Sequence, residues 1–330
     1  MSGSVGIVAN PASGKDIRRL VAHGSVFDNQ EKVRIVRRIL MGLEAVGVQS
    51  VFYMPDAYAI VDRALRGCSV AMDVNPVPMA AQDSQEDSVK AAAWMETQRV
   101  GCLVVLGGDG TCRAVTKGTR SVPLLPISTG TNNVFPHVME ATIAGLAAGL
   151  VATGAVPLEE SACRVSCLEV LCDNSPGDLA LVDVAVCEGS FIGARAIWEV
   201  EKVRQLFLSR CRPESIGLSA LGGQLTTIGP SEPTGLHMVM GAGGPKISAA
   251  IAPGLIRSVS VERFERMIPG KPYPVLWQHS VLALDGEREM EVKRSMSVAV
   301  RLSLEGPFVV SVPRVMERAR DKGVFVEQRS

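Results

Sequence analysis

The run Leu106-Gly107-Gly108-Asp109-Gly110-Thr111 combines backbone freedom with a single carboxylate. Glycines admit positive φ and bring amide N–H groups close to a bound group, so an anion can be cradled there without basic side chains. Asp109, in the middle of such a nest, would repel phosphate unless it holds a divalent cation or takes a proton from an attacking hydroxyl. Either role points to phosphoryl transfer. The competing reading is a tight turn in which Asp109 caps the next helix. Two other loops have the same character. Asn10-Pro11-Ala12-Ser13-Gly14-Lys15 carries small residues, a hydroxyl and one ammonium suited to nucleotide phosphates, although the Gly-x4-Gly-Lys-Ser/Thr spacing of a P-loop is absent. Ser128-Thr129-Gly130-Thr131-Asn132-Asn133 offers hydroxyls and amides that can hydrogen-bond a ribose or a base edge.

Each loop follows a short apolar run, at residues 5–9, 102–106 and 123–127. Between them the pattern predicts strands at 48–54 and 68–74, and helices at 29–46, 57–65 and 88–97, with a polar loop at 73–87. Strands alternating with helices imply an open, parallel, doubly wound α/β sheet, whose ligands bind at the carboxyl ends of the strands. The three loops would therefore converge on one edge. After about Val156 the character changes to short β-like runs at 163–172, 179–187, 236–241, 247–252, 257–262, 280–285 and 296–302. A helical stretch at 191–208 interrupts them, and a helix is expected at 313–322. The expected organisation is an α/β domain at 1–156 and a β-rich domain at 157–330 with the site in the cleft between them. The segment 307–330 would pack back on the first domain.

The composition limits the partners. Thirty-four Lys plus Arg balance 34 Asp plus Glu, so the net charge is zero and no broad footprint for nucleic acid or an anionic membrane is present. Aromatics make up only 4%, which leaves few rings for base stacking. The longest weakly polar stretch, 142–156, falls short of the ~20 residues of a membrane span, and no basic segment precedes an apolar leader. Eight cysteines lack a CxxC, and Cys163, Cys167 and Cys172 have no histidine nearby, so reduced packing thiols in a cytoplasmic protein are expected.

In this order, NPASGK, GGDGT and STGTNN resemble the superfamily of NAD kinases, diacylglycerol kinases and sphingosine kinases, and Asp285-Gly286-Glu287 lies late in the β-rich half. Within that group the opening stretch and the later Met54-Pro55-Asp56 look most like the acetoin catabolism protein X branch. The resemblance implies an α/β domain followed by a β-rich one, with ATP and Mg2+ as cofactors. It implies that Gly107, Gly108, Gly110 and Thr111 contact nucleotide phosphates, with Asn10, Ser13, Gly14 and Lys15 beside them. Gly130, Thr131, Asn132 and Asn133 would line the nucleotide pocket. Asp109 or Glu287 would serve as the base, and Asp109 and Asp285 would hold Mg2+. Where NAD kinases carry an Asn-Glu pair the match is Val182-Asp183, which removes an amide handle on the adenosine. Their Thr-Pro-Thr-Gly-Ser stretch matches residues 218–222 with fewer hydroxyls.

The expected function is an ATP-dependent kinase acting on a hydroxyl of a small or nucleotide acceptor, NAD first. A non-catalytic nucleotide-binding protein of acetoin catabolism is the alternative, and a lipid kinase the third. A homo-oligomer without stable membrane insertion is expected. Lys15 is a phosphate ligand or a solvated loop lysine. Arg113 is surface charge or a stabiliser of transferred phosphoryl charge. His137 and His279 read as structural histidines, and Cys112 as a packing residue. Glu188 would face the cleft, and the basic stretch Lys202, Arg204, Arg210 and Arg212 is a solvated face or a grip on an anionic substrate.

Overall fold

A computed structural model describes residues 3–14, 27–130, 132–189 and 200–326. Strands β1 (Ser4–Ala9), β2 (Ser50–Tyr53), β3 (Asp73–Pro76), β4 (Cys102–Gly107) and β5 (Leu124–Ser128) alternate with helices α1 (Asn29–Ala45), α2 (Ile60–Leu65), α3 (Gln85–Thr97), α4 (Asp109–Gly118) and α5 (Ala141–Ala152). They build a parallel sheet in the order β3-β2-β1-β4-β5. Every residue of β1, β4 and β5 is buried, because helices cover both faces of the sheet. Asp28 caps α1 by accepting from the Glu31 amide, and Val33, Val36, Ile39, Leu40 and Leu43 form its inner face. That face runs against α5 at backbone distance: a Cβ on Gly145 would sit 2.4 Å from the Ile39 carbonyl oxygen.

The chain then crosses to the second domain through α6 (Leu158–Ser161) and β6 (Ala162–Arg164). A seven-stranded antiparallel sheet runs in the order β12-β13-β11-β10-β9-β15-β16. Its strands are β9 (Asp183–Glu188), β10 (Val203–Leu208), β11 (Gly235–Met240), β12 (Lys246–Ala252), β13 (Leu255–Met267), β15 (Ser280–Leu284) and β16 (Glu287–Val292). A smaller sheet packs on it, ordered β14 (Pro272–Pro274), β17 (Val298–Ser303), β7 (Cys167–Cys172) and β8 (Ser175–Ala180). Helix α7 (Ser219–Gly223) follows β10. The chain finally returns: β18 (Phe308–Val310) joins the first sheet beside β5 and pairs with β6, and α8 (Val312–Asp321) buries Val315 and Ala319 in the first domain's core. No helix among the described residues is long and apolar enough to cross a membrane.

Three local expectations change. The helix at 191–208 falls partly outside the described residues, and its end is strand β10, held between β9 and β11 by hydrogen bonds on both sides. The apolar spacing there suits either period, and only the two neighbours select the extended form. The strand expected at 68–74 lies instead at β3, an edge strand that ends in Pro76, where no further strand needs its missing N–H. The single runs at 163–172 and 179–187 each break at a bend, so that β6 and β7, and then β8 and β9, enter different sheets.

Candidate active site

Because β1, β4 and β5 are parallel neighbours, the loops at 10–14, 107–111 and 128–133 leave the sheet on one edge and bond to each other. The Asn10 amide nitrogen donates to Thr111 Oγ1 at 2.9 Å, and the Ser13 and Thr129 hydroxyls lie 2.7 Å apart. The Thr129 amide donates to the Gly107 carbonyl at 3.1 Å. Asn133 Nδ2 donates to Ser128 Oγ at 2.8 Å, and its other atom, Oδ1, would lie 2.8 Å from a Cβ at Gly108. Gly107 would bring a Cβ within 2.4 Å of Thr111. Gly107 is crowded by Thr111 of its own loop, and Gly108 by the end of the Asn133 side chain from the third loop. Gly14, at φ +74°, turns the first loop under the Thr129 carbonyl. Gly130 faces the Asn133 amide, while Lys15 and Thr131 lie outside the described residues.

One side chain absent from the sequence reading organises this edge. Lys32, on α1 and fully buried, donates to the carbonyls of Asn10 and Ser13 at 2.7 and 2.8 Å and to Asn29 Oδ1 at 3.0 Å. It sits under the first loop and fixes its shape. Its place within an otherwise amphipathic helix gave no sign of this, since lysine at such a spacing usually faces solvent.

Asp109 is neither a helix cap nor an exposed carboxylate. Gly108 is the N-cap of α4, and Asp109 is 8% exposed. Its Oδ1 accepts from the amides of Val134 at 3.1 Å and Phe135 at 2.8 Å, and Oδ2 also receives the Val134 amide. It therefore holds the third loop against the second. Asp285 is more deeply committed: its carboxylate accepts from the amides of Leu181, Val182 and Asp183, at 2.7 Å from Val182, and lies 3.9 Å from Arg113 Nε. Burial pushes its pKa up, against the pull of Arg113 and the three amides. Asp285 does not fit the expected role of a Mg2+ ligand, since three backbone amides and Arg113 engage its oxygens, whereas Asp109 accepts from two amides and its Oδ2 shares the Val134 amide with Oδ1. Among the described residues no cluster of three or more His, Cys, Asp or Glu side chains could hold a metal ion.

Arg113 is wholly buried, at 3.5 Å from Asp178 and beside Asp285, so it braces α4 against the second domain instead of facing solvent or substrate. Cys112, next to it, is buried, and burial raises its thiol well above the ordinary range, with Asp109 and Asp285 adding to the effect. Glu188 is exposed and pairs with Arg204 on the surface. His137 is exposed, and its backbone carbonyl accepts from the Ser128 amide.

Glu287 has a different setting. It opens β16, yet its carboxylate reaches the first domain, where Oε1 would lie 3.3 Å from a Cβ at Gly110 in the first turn of α4. A carboxylate from one domain thus meets the helix N-terminus and the glycine loop of the other. The arrangement can hold an anion at backbone amides and accept a proton beside it.

Comparison with known proteins separates the two halves. Residues 5–156 match the model described as ATP-NAD kinase N-terminal domain, and residues 166–305 match the acetoin catabolism protein X C-terminal domain. Acetoin catabolism protein X from Cupriavidus necator is 37% identical over 314 residues, which cover 90% of this chain and 87% of that protein. Among solved structures, yeast NADH kinase complexed with NADH is 13% identical, covering 99% of this chain and 89% of its own, with a TM-score of 0.49. A putative diacylglycerol kinase from Bacillus anthracis str. Sterne is 14% identical, covering 95% and 98%, with a TM-score of 0.46.

Proposed function

The chain belongs to the acetoin catabolism protein X family, and from that premise we propose that it is an ATP-dependent kinase acting on a hydroxyl of a small or nucleotide acceptor, with NAD the first candidate. The observation that carries this reading is the meeting of Glu287 with the N-terminus of α4 at Gly110. Donor phosphates would lie along the amides of residues 107–111, where the unpaired N–H groups and the helix dipole favour negative charge. Asn10, Ser13 and Asn133 would border them, with Lys32 fixing the loop from below.

Glu287 is the base in this scheme. The acceptor oxygen forms a bond to the γ-phosphorus as the bond to the bridging oxygen of ADP breaks, and the hydroxyl proton passes to the Glu287 carboxylate. Asp109 acts through the third loop, because its oxygens are engaged by the Val134 and Phe135 amides. Positioning and charge stabilisation supply most of the acceleration in such transfers. Incubating the purified protein with ATP, magnesium and NAD and following formation of the 2'-phosphate tests the reading. Turnover that Glu287→Gln removes supports it, and turnover no greater than in that variant takes NAD off the list.

The amide-bound Asp109 also favours a second reading, in which the protein binds a nucleotide in service of acetoin catabolism without transferring phosphate. Val182 supports it: its side chain is buried in the apolar cluster with Cys112 and Phe135, so the position offers no polar handle to an acceptor. Calorimetry that finds nucleotide binding, together with no transfer to any acceptor tested, would select this role.

A further inference from the structure

Arg210 follows β10 in the second domain and is 8% exposed, yet the protein satisfies it poorly. Nε donates to Ser209 Oγ at 3.4 Å and Nη2 to the Ser166 carbonyl at 3.3 Å, both long contacts. The guanidinium carbon stacks 4.9 Å from the centre of the Phe135 ring, on the loop that Asp109 holds. No protein group accepts from Nη1 among the described residues, and Nη1 is not among the sealed polar atoms that lack a partner. One edge of a nearly buried cation is therefore left open where the two domains meet.

The nearby charges do not close that edge. Asp109 and Asp285 attract Arg210, but the first is shared with two amides and the second with three amides and Arg113. Arg212 and His137 lie on the same wall, and the partial covering of the His137 ring, together with the charge of both arginines, keeps it toward its neutral form. Arg212 is half-exposed, and Glu214, at 3.6 Å, is its partner on the solvent side. Burial lowers the Arg210 pKa to about 10, which leaves it charged at neutral pH.

We propose that Arg210 presents Nη1 to a phosphate oxyanion at the domain junction, and that the wall formed by residues 135–137 and 209–212 is an anion subsite with Arg212 as its outer cation. This rests on reading the junction as a phosphoryl-transfer cleft. A planar guanidinium stacked on a ring and short of acceptors is prepared for oxyanion binding, since the ligand completes its hydrogen bonds without moving it. The oxyanion belongs either to the donor nucleotide or to a phosphate-bearing acceptor.

Calorimetric titration of the wild type and of Arg210→Gln with inorganic tripolyphosphate, ATP, NAD and adenosine tests the subsite. The expected result is about tenfold weaker binding of at least one oxyanion in Arg210→Gln with adenosine unchanged, the size of one lost charge-assisted hydrogen bond. Loss confined to tripolyphosphate and ATP assigns the subsite to the donor, and loss confined to NAD assigns it to the acceptor. Arg212→Gln, at an exposed position where folding is not at stake, should weaken the same ligand severalfold and decides the matter if Arg210→Gln does not fold. Wild-type affinity for every oxyanion in the folded variants overturns the proposal. A protein that binds oxyanions through Arg210 yet transfers no phosphoryl group sinks the kinase reading and leaves the subsite standing.

Discussion

The Glu287 carboxylate, from the second domain, rests against Gly110 in the first turn of α4, with Oε1 3.3 Å from where a Cβ would stand. A side chain at this position would press on the carboxylate at the helix N-terminus. That contact joins the two domains at the point where the glycine loop ends.

Glu287→Gln should therefore keep nucleotide affinity and lose turnover. A general base contributes about a hundredfold or more, so kcat should fall by that factor with KM for ATP nearly unchanged. Equal activity in the variant would remove Glu287 from the proton transfer.

Gly110→Ala tests the contact from the other side. The new methyl meets Glu287 Oε1 at 3.3 Å, so the carboxylate must retreat by a few tenths of an ångström. The expectation is a lowered kcat with a melting temperature close to that of the wild type, read by steady-state kinetics beside differential scanning fluorimetry.

Lys32→Met removes three hydrogen bonds from a fully buried ammonium and takes from the Ser13 carbonyl its donor, while the Asn10 carbonyl keeps the Ser13 hydroxyl. Loss of about 2–4 kcal/mol in urea unfolding is expected, with weaker nucleotide binding as the first loop loosens. A variant as stable as the wild type would mean that the loop keeps its shape without the clamp.

His237 predicts a pH dependence of stability. It is buried, stacks on Phe207 with ring centres 4.7 Å apart, and places Nε2 2.8 Å from Gln205 Nε2. Leu276 N donates to Gln205 Oε1, and Gln205 Nε2 also donates to the Pro274 carbonyl, so the amide's orientation is fixed and His237 Nε2 must accept. Nδ1–H then donates to Glu265. Burial lowers the pKa, with Glu265 opposing it. A folded-state pKa below the unfolded one means stability that is present above the unfolded value near 6.5 and lost as pH falls. Urea midpoints should drop between about pH 7.5 and 5.5, and His237→Gln should flatten that slope.

The sequence by itself determined the sheet and the class of chemistry. Apolar runs ending in glycine-bearing polar loops, separated by helical periods, admit little besides a parallel sheet with three loops on one edge, because that alternation buries both faces of each strand. Which charged group does what was left to the tertiary structure. Asp285 and Glu287 differ by two positions, and the two-residue turn between β15 and β16, with Asp285 at φ +52° and Gly286 at φ +79°, sends them apart. The first turns into the amides of residues 181–183, and the second reaches α4 across the domain boundary. Lys32 and Arg210 look like surface charges in the sequence, and burial alone made one a clamp and the other an open cation. Periodicity records which side of an element is apolar; a charge acquires its role from partners that can lie from about twenty to more than a hundred residues away, and spacing along one chain does not carry that information.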